Sequence, residues 1–197
     1  MPTLSWFPMP IYIDKVNGSQ HEAIDKELFS VYDKVEFAQN PQWTDDTNEL
    51  SLESRTDAFF GKHQLKDCTQ FLDFLHINIM TYLQQIGSKD KVDYIVHNSW
   101  LTRTTKGKYI HMHDHGNYDI SGVYYLQTNG KDGNLFFPSP HRLMAGNYII
   151  SRITDYTQSL PLEQGLLALW PSILYHNTAP NETDHERISA SFNIKFI

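Results

Sequence analysis

A single cysteine, Cys68, is all the thiol this chain has. That excludes an internal disulfide and fits a reducing compartment. No apolar run is long enough to span a bilayer. Met1 to Val16 lacks a basic stretch followed by an apolar one, so no secretory leader is expected. Basic residues are the minority: 16 Lys and Arg stand against 23 Asp and Glu, a net charge of −7. A nucleic-acid partner is therefore disfavoured, because phosphate tracking needs a basic face. Repeats and low-complexity segments are also missing. These absences leave a soluble, cytoplasmic protein with no membrane association. Its 197 residues suffice for one substantial core, and one domain over 1–197 is expected.

What the chain does have is aromatic side chains, with eleven Tyr and eleven Phe, and a change of pattern partway along. Residues 1–91 read as a strand- and helix-rich support. Leu4 to Tyr12, with its prolines, suggests an edge strand or extended arm. Ile24, Leu28, Val31 and Val35 fall at helical spacing between His21 and Phe37. Phe37 to Ser54 reads as a loop with a short element near Leu50 and Leu52. His63 to Ile86 is the clearest helix, with Leu65, Cys68, Leu72, Leu75, Ile79, Tyr82 and Ile86 as its apolar stripe and Gly87 as its stop.

From Val92 the pattern changes to short β-rich runs divided by turns. Strands are expected at Asp93–Thr102, Tyr109–His115, Ile120–Gln127, Asn134–Phe137, Tyr148–Ile153, Leu166–Trp170 and Arg187–Ile197. Turns are expected at Lys106-Gly107-Lys108, Gly116-Asn117, Asn129-Gly130 and Asp132-Gly133. Such spacing argues for a mainly β fold with flanking helices, a sandwich or jelly roll whose core and site lie in 92–197.

The chemistry concentrates at His111-Met112-His113-Asp114-His115. Alternation along a strand would put His111, His113 and His115 on one face. Three imidazoles there are costly to bury as ordinary core, whereas neutral imidazole is a common metal ligand. His176 follows an apolar strand stopped by Pro171. Arg187 and Ser189 then share a face of the last strand, and an inward arginine calls for an anion suited to its fork. His21, His63, His76, His97 and His185 read as surface or structural, and Trp100 as core. His141 is a candidate for the pocket border, and Arg103 for an anionic substrate.

In order, the chain shows His-x-His, Ser121-Gly122-Val123-Tyr124-Tyr125-Leu126, Gly133-Asn134-Leu135-Phe136-Phe137, Gly165-x4-Trp170-Pro171-Ser172-x3-His176 and Arg187-Ile188-Ser189-x-Ser191-Phe192-Asn193. This order resembles the 2-oxoglutarate- and iron(II)-dependent oxygenases found in bacteria and marine phages. The likeness is strongest over Asn98–Ile197, and the opening from Trp6 to Tyr12 also looks like that family's start. The resemblance implies a double-stranded β-helix of the jelly-roll, cupin-like type. It makes His113, His115 and His176 the iron(II) ligands. Arg187 would grip the distal carboxylate of 2-oxoglutarate, with Ser189 beside it and Tyr125 as a further hydroxyl. It further implies oxidative decarboxylation of 2-oxoglutarate to succinate, with dioxygen consumed and a C–H bond oxidised, most simply by hydroxylation.

One departure from the wider superfamily matters. The usual His-x-Asp or His-x-Glu pair is replaced by His113-x-His115, leaving the ligand set one negative charge short. Two alternatives stay open: the pair shifted to His111/His113, or Asp119 reaching in across the Gly116-Asn117 turn. A cupin-like metal enzyme that does not use 2-oxoglutarate would dispense with Arg187. A non-enzymatic jelly-roll binding or structural module would keep its melting temperature under chelation. The substrate, a small molecule or a protein, is not written in the sequence, and a homodimer is compatible with it.

Overall fold

The computed structural model describes residues 9–39, 51–54, 64–88, 92–139 and 157–197. The expected strand Tyr148–Ile153, most of the arm Leu4–Tyr12, and both His63 and His141 lie outside them.

Among the described residues, ten strands and two helices follow one another as β1 (Tyr12–Lys15), α1 (Gly18–Tyr32), β2 (Phe37–Ala38), β3 (Leu52–Ser54), α2 (Thr69–Gln85), β4 (Tyr94–Thr104), β5 (Ile120–Gln127), β6 (Leu135–Pro138), β7 (Thr157–Leu160), β8 (Leu166–Pro171), β9 (Asn177–Thr178) and β10 (Arg187–Phe196). The larger sheet has the order β1-β8-β5-β10-β4-β3-β2, and the smaller one β7-β6-β9. All neighbours in both are antiparallel. These sheets form the double-stranded β-helix expected from the sequence. Strands from before and after residue 91 share the larger sheet, so the support and the site-bearing half are built into one layer.

The larger sheet is covered on both faces, apolar on one and mixed apolar and polar on the other. On one face Tyr124, Leu167, Leu169, Ala190, Phe192 and Ile194 meet Ile24 and Leu28 of α1 and Phe71, Leu75 and Ile79 of α2. The Phe71 ring packs edge-on against Tyr124 and Phe192, at centroid separations of 5.7 and 6.0 Å. Burying one such side chain stabilises by about 1.5–3 kcal/mol. Gly122 is required at this packing: a Cβ there would lie 2.5 Å from the Phe192 ring and 2.7 Å from Leu169. On the other face Val123, Tyr125, Ala168 and Trp170 meet Leu135 and Phe137 of β6. The site opens on this second face.

Two expectations need correcting. Helix α2 starts at Thr69 rather than His63, because Leu65 and Cys68 are buried in the turn that leads into it. Its buried face includes Phe71, Phe74 and Asn78, while Ile86 is 46 % exposed. Leu65, Cys68, Leu75, Ile79 and Tyr82 are buried as expected; the stripe is broader than assigned, because Phe71 and Phe74 also pack against Tyr124. Second, Tyr109–His115 is not a continuous strand; it is an extended segment with isolated bridges. Glycines at positive φ mark the turns as expected, with Gly107 at +79°, Gly130 at +73° and Gly133 at +99°. No helix among the described residues is long and apolar enough to cross a membrane.

Candidate metal and co-substrate site

Backbone bonds, rather than a regular strand, fix the histidine segment. His113 and His176 exchange both N–H···O bonds, at 3.0 and 2.9 Å, and His115 N–H donates to the Ser172 carbonyl at 2.8 Å. Thr178 and Ile110 continue the pairing at 3.1 Å. The segment therefore extends the smaller sheet beyond β9 and aims His113, His115 and His176 inward. One ring nitrogen from each lies within 4.8 Å of the other two. The ring centroids stand 4.3–5.2 Å apart.

Two of the three rings have a defined tautomer. The Nδ1 of His113 faces the His111 carbonyl at 2.8 Å, and that of His176 faces the Leu174 carbonyl at 3.0 Å. A carbonyl can only accept, so both Nδ1 atoms carry hydrogen and both Nε2 atoms keep their lone pairs. Desolvation lowers the pKa of all three, with each other's charge adding to the effect at His115 and His176. For His115 the value falls to about 3. Neutral imidazoles with inward lone pairs are what a cation needs.

His111 stands outside this convergent group; its carbonyl orients His113 instead. Asp119 does not reach in either. Its Oδ2 accepts the Phe196 N–H at 2.8 Å at the end of β10. Asp114 turns away and accepts Gly116 N–H at 2.9 Å. Among the described residues, no carboxylate joins the three nitrogens.

A pocket opens at the histidines, enclosing about 520 Å³ of non-atom space when the solvent at its mouth is counted. Arg187, Ser189 and Tyr125 line it. Arg187 is 2 % exposed. Its Nη1 donates to the carbonyls of Asp132, at 2.7 Å, and Gly133, at 2.5 Å. Its Nη2 donates to the hydroxyls of Thr178, at 3.0 Å, and Thr104, at 3.2 Å. Sequence reasoning missed this cradle. Its one signal in the sequence was the Asp132-Gly133 turn pair; Thr104 and Thr178 reach Arg187 only through strand pairing. Asp132 is fully buried and fixes the turn by accepting Thr128 Oγ1–H, at 2.5 Å, and Asn129 N–H, at 2.9 Å. His185 caps it at 3.1 Å, so that histidine is structural. Burial lowers the arginine's pKa, while Tyr125 and Asp132 raise it. Burial pushes the Tyr125 phenol up to about 12, so it stays a donor.

Thr178 carries a consequence for an incoming anion. Its Oγ1 accepts from Arg187 and from Ile110 N–H at 2.9 Å. Both lone pairs are then used, leaving only its proton to give, and Thr178 lines the pocket.

Other expectations resolve individually. Trp100 is a half-buried pocket wall rather than core, its ring 5.9 Å from that of His115. Arg103 lies over the Phe37 ring at 4.9 Å and 3.8 Å from Glu186, away from the pocket lining. His76 bonds Tyr94 Oη at 2.6 Å, His21 approaches Asp25 at 3.2 Å, and His97 packs on Tyr118. Trp170 packs at 4.8 Å against His176, and its indole N–H is buried without an acceptor among the described residues.

Comparison with known proteins places this geometry. Residues 98–193 match the profile of the family "Putative 2OG-Fe(II) oxygenase". No curated relative matches the chain. Among solved structures, a Pseudomonas putida prolyl-4-hydroxylase is 13 % identical, with a TM-score of 0.61, covering 94 % of this chain and 92 % of that one. The non-heme α-ketoglutarate-dependent epimerase SnoN from nogalamycin biosynthesis is 12 % identical at a TM-score of 0.66, covering 94 % and 77 %. HygX from Streptomyces hygroscopicus, with nickel, 2-oxoglutarate and hygromycin B bound, is 10 % identical at 0.57, covering 95 % and 83 %. At such identities these likenesses speak for the fold.

Proposed function

The chain belongs to the 2OG-Fe(II) oxygenase family, and from that premise we propose that His113, His115 and His176 hold iron(II) while Arg187, Ser189, Thr178 and Tyr125 receive 2-oxoglutarate. The protein is an iron(II)- and 2-oxoglutarate-dependent oxygenase. The observation that carries the assignment is the convergence of three neutral imidazoles on the pocket that holds a buried arginine.

The residues suit both groups. Two Nε2 lone pairs are freed by the backbone bonds at Nδ1, and three nitrogen donors leave further positions of an iron ion open. Bound there, iron(II), 2-oxoglutarate and dioxygen supply a C–H oxidant, the keto acid leaving as succinate and carbon dioxide. The chain's own part is orientation and exclusion of water. Arg187 brings a positive charge into a low-dielectric pocket, where it attracts a carboxylate far more strongly than in water. Its Nη1 is held by two fixed carbonyls. The Nη2 side, backed by rotatable threonine hydroxyls, is the side that can adapt to an anion. Tyr125, Ser189 and Thr178 add hydroxyl donors. We take hydroxylation as the outcome, since it needs no further group from the protein to redirect the oxidised carbon.

The test is iron content and turnover in parallel. Wild type should bind one iron(II) and release succinate in a 2-oxoglutarate- and dioxygen-dependent way. His176→Ala should lose both, and His111→Ala should keep its iron. Equal iron in wild type and His176→Ala would overturn the ligand assignment.

A further inference from the structure

Five buried side-chain atoms find no hydrogen-bond partner among the described residues: His21 Nε2, His97 Nδ1, Asn98 Oδ1, Arg103 Nε and Trp170 Nε1. His21 and Arg103 have acids beside them, at 3.2 and 3.8 Å. Of the five residues, Trp170 is the one that lines the pocket. It is 2 % exposed. An indole N–H can only donate, and a donor shut away from water without an acceptor is costly.

The surroundings explain why the chain itself leaves this donor idle. Strand β8 sets Trp170 opposite Ser121, on the side of the sheet that carries Val123 and Ala168. The Ser121 hydroxyl is committed to Ser172, at 2.8 Å, and to Asn193, at 2.7 Å. Two rings clamp the indole edge-on, Phe137 at 5.3 Å and His176 at 4.8 Å. The N–H is thus held in place beside one of the three converging imidazoles.

Position along the sheet says which end of a bound molecule it can serve. Ser121 faces Asn193 across β5 and β10, and Tyr125 faces Ser189, with Arg187 further along in the same direction. The rows of Trp170 and Ser189 are therefore roughly 13 Å apart along the strands. A carboxylate gripped by Arg187 is out of reach of Trp170. The opposite end of the same molecule, at the histidines, is not.

We propose that Trp170 is a binding residue for a carboxylate held at the metal, its indole N–H donating to one of that carboxylate's oxygens. This rests on the iron(II) and 2-oxoglutarate reading, in which the group is the carboxylate adjoining the keto carbon. The two ends of the keto acid then have separate donors, Arg187 with its hydroxyl neighbours for the distal one and Trp170 for the near one. A phenylalanine at 170 would keep an aromatic ring against His176 and remove only the donor, so recognition is separable from packing.

The experiment follows the indole N–H signals of the zinc(II)-loaded protein by NMR, zinc serving as a diamagnetic stand-in for iron. The chain has four tryptophans. The Trp170 signal is the one lost in Trp170→Phe, or is found by elimination with Trp6→Phe, Trp43→Phe and Trp100→Phe if that variant does not fold. Adding 2-oxoglutarate should move it downfield and slow its exchange with solvent. Trp170→Phe, with zinc still bound, should take up 2-oxoglutarate about tenfold more weakly. A Trp170 signal that stays put while 2-oxoglutarate saturates the protein overturns the proposal, as does an unchanged affinity in folded Trp170→Phe. A signal held upfield with and without the ligand would assign the N–H to the face of a neighbouring ring, and overturns it too. Oxalate, which offers a metal adjoining carboxylate oxygens without a distal arm, keeps the two readings apart. If 2-oxoglutarate does not bind, the oxygenase reading falls, and the response of Trp170 to oxalate still decides this one.

Discussion

Replacing Arg187 by Met separates a 2-oxoglutarate site from a metal site that ignores the keto acid. The ligand's distal carboxylate would enter a pocket where the guanidinium is 2 % exposed, so neither charge can fall back on water. Removing one partner of such a pair costs about 3–5 kcal/mol, which corresponds to roughly a hundredfold to a few thousandfold in affinity. The structure adds a second consequence. The Thr104 and Thr178 hydroxyls keep other partners, Ser51 and Ile110. The Asp132 and Gly133 carbonyls lose their Nη1 donors. Each orphaned acceptor costs about 1–3 kcal/mol, so Arg187→Met should also unfold at lower denaturant concentration. Arg187→Lys keeps the charge without the fork and should fall between the two proteins in 2-oxoglutarate affinity. The assay is 2-oxoglutarate titration of the anaerobic iron(II) protein, followed by its metal-to-ligand absorption, with iron content and a denaturant midpoint measured on the same sample. Iron binding should persist. An unchanged 2-oxoglutarate midpoint in folded Arg187→Met would refute the role assigned to the residue.

The metal-free protein should lose stability on acidification. The folded pKa of His115 is depressed to about 3 against about 6.5 unfolded, so below pH 6.5 the unfolded chain takes up the proton and the folded one does not; His115 alone should cost about 2 kcal/mol between pH 7 and 5, lost further down to about pH 3, and a denaturation midpoint flat over that range would refute this. Gly133→Ala should weaken 2-oxoglutarate binding while sparing iron, because its Cβ would fall 2.3 Å from the Ala179 carbonyl oxygen and 2.9 Å from Arg187 Nη1 at φ +99°; an unaltered titration would show that the cradle is not needed. Gly122→Ala should lower the melting temperature by overpacking against Phe192 and Leu169, at a cost of about 1–3 kcal/mol, and a wild-type melt would contradict that packing.

How much of this was legible in the sequence depended on the range of the interaction. Alternation exposed Ile120–Gln127 to the residue and placed Tyr125 on the face opposite Tyr124, because a central strand packed on both sides has to obey a period of two. Arg187, Ser189 and Asn193 followed from the same rule on β10. Tyr109–His115 misled it. That segment pairs only at isolated points, and its geometry is set by backbone bonds to residues some sixty positions on. Strand β9 has two residues, too few for any periodicity, although it carries Thr178. Glu53 sits on a three-residue strand, β3. Its place in the pocket follows only from pairing with Thr102, across nearly fifty residues of chain. Local rules and the family resemblance thus pointed to the three histidines that converge and to the buried arginine, while the groups around them came from contacts no local rule can see.

The substitution of His115 for the usual carboxylate has a consequence that can be measured. Three neutral imidazoles bring no charge to a doubly charged ion. Asp132, buried behind the arginine, is already committed to Thr128, Asn129 and His185, and Glu53, the acid that lines the pocket, is not part of the convergent donor group. The compensation must then come from the dianionic keto acid itself, so each ligand should strengthen the other's binding more than in a site with an acidic ligand. Coupling of this kind is reciprocal: the factor by which 2-oxoglutarate raises iron(II) affinity must equal the factor by which iron(II) raises 2-oxoglutarate affinity. His115→Asp supplies the missing charge at the same position. It should therefore bind iron(II) more tightly than wild type without the keto acid, and gain less when the keto acid is added. A drop in coupling of about 1 kcal/mol or more would be expected from one unit charge in a partly buried site. The measurement is anaerobic iron(II) titration of both proteins with and without saturating 2-oxoglutarate. Equal coupling factors in the two would show that the histidine is electrostatically indifferent, and that its presence has to be explained by shape alone.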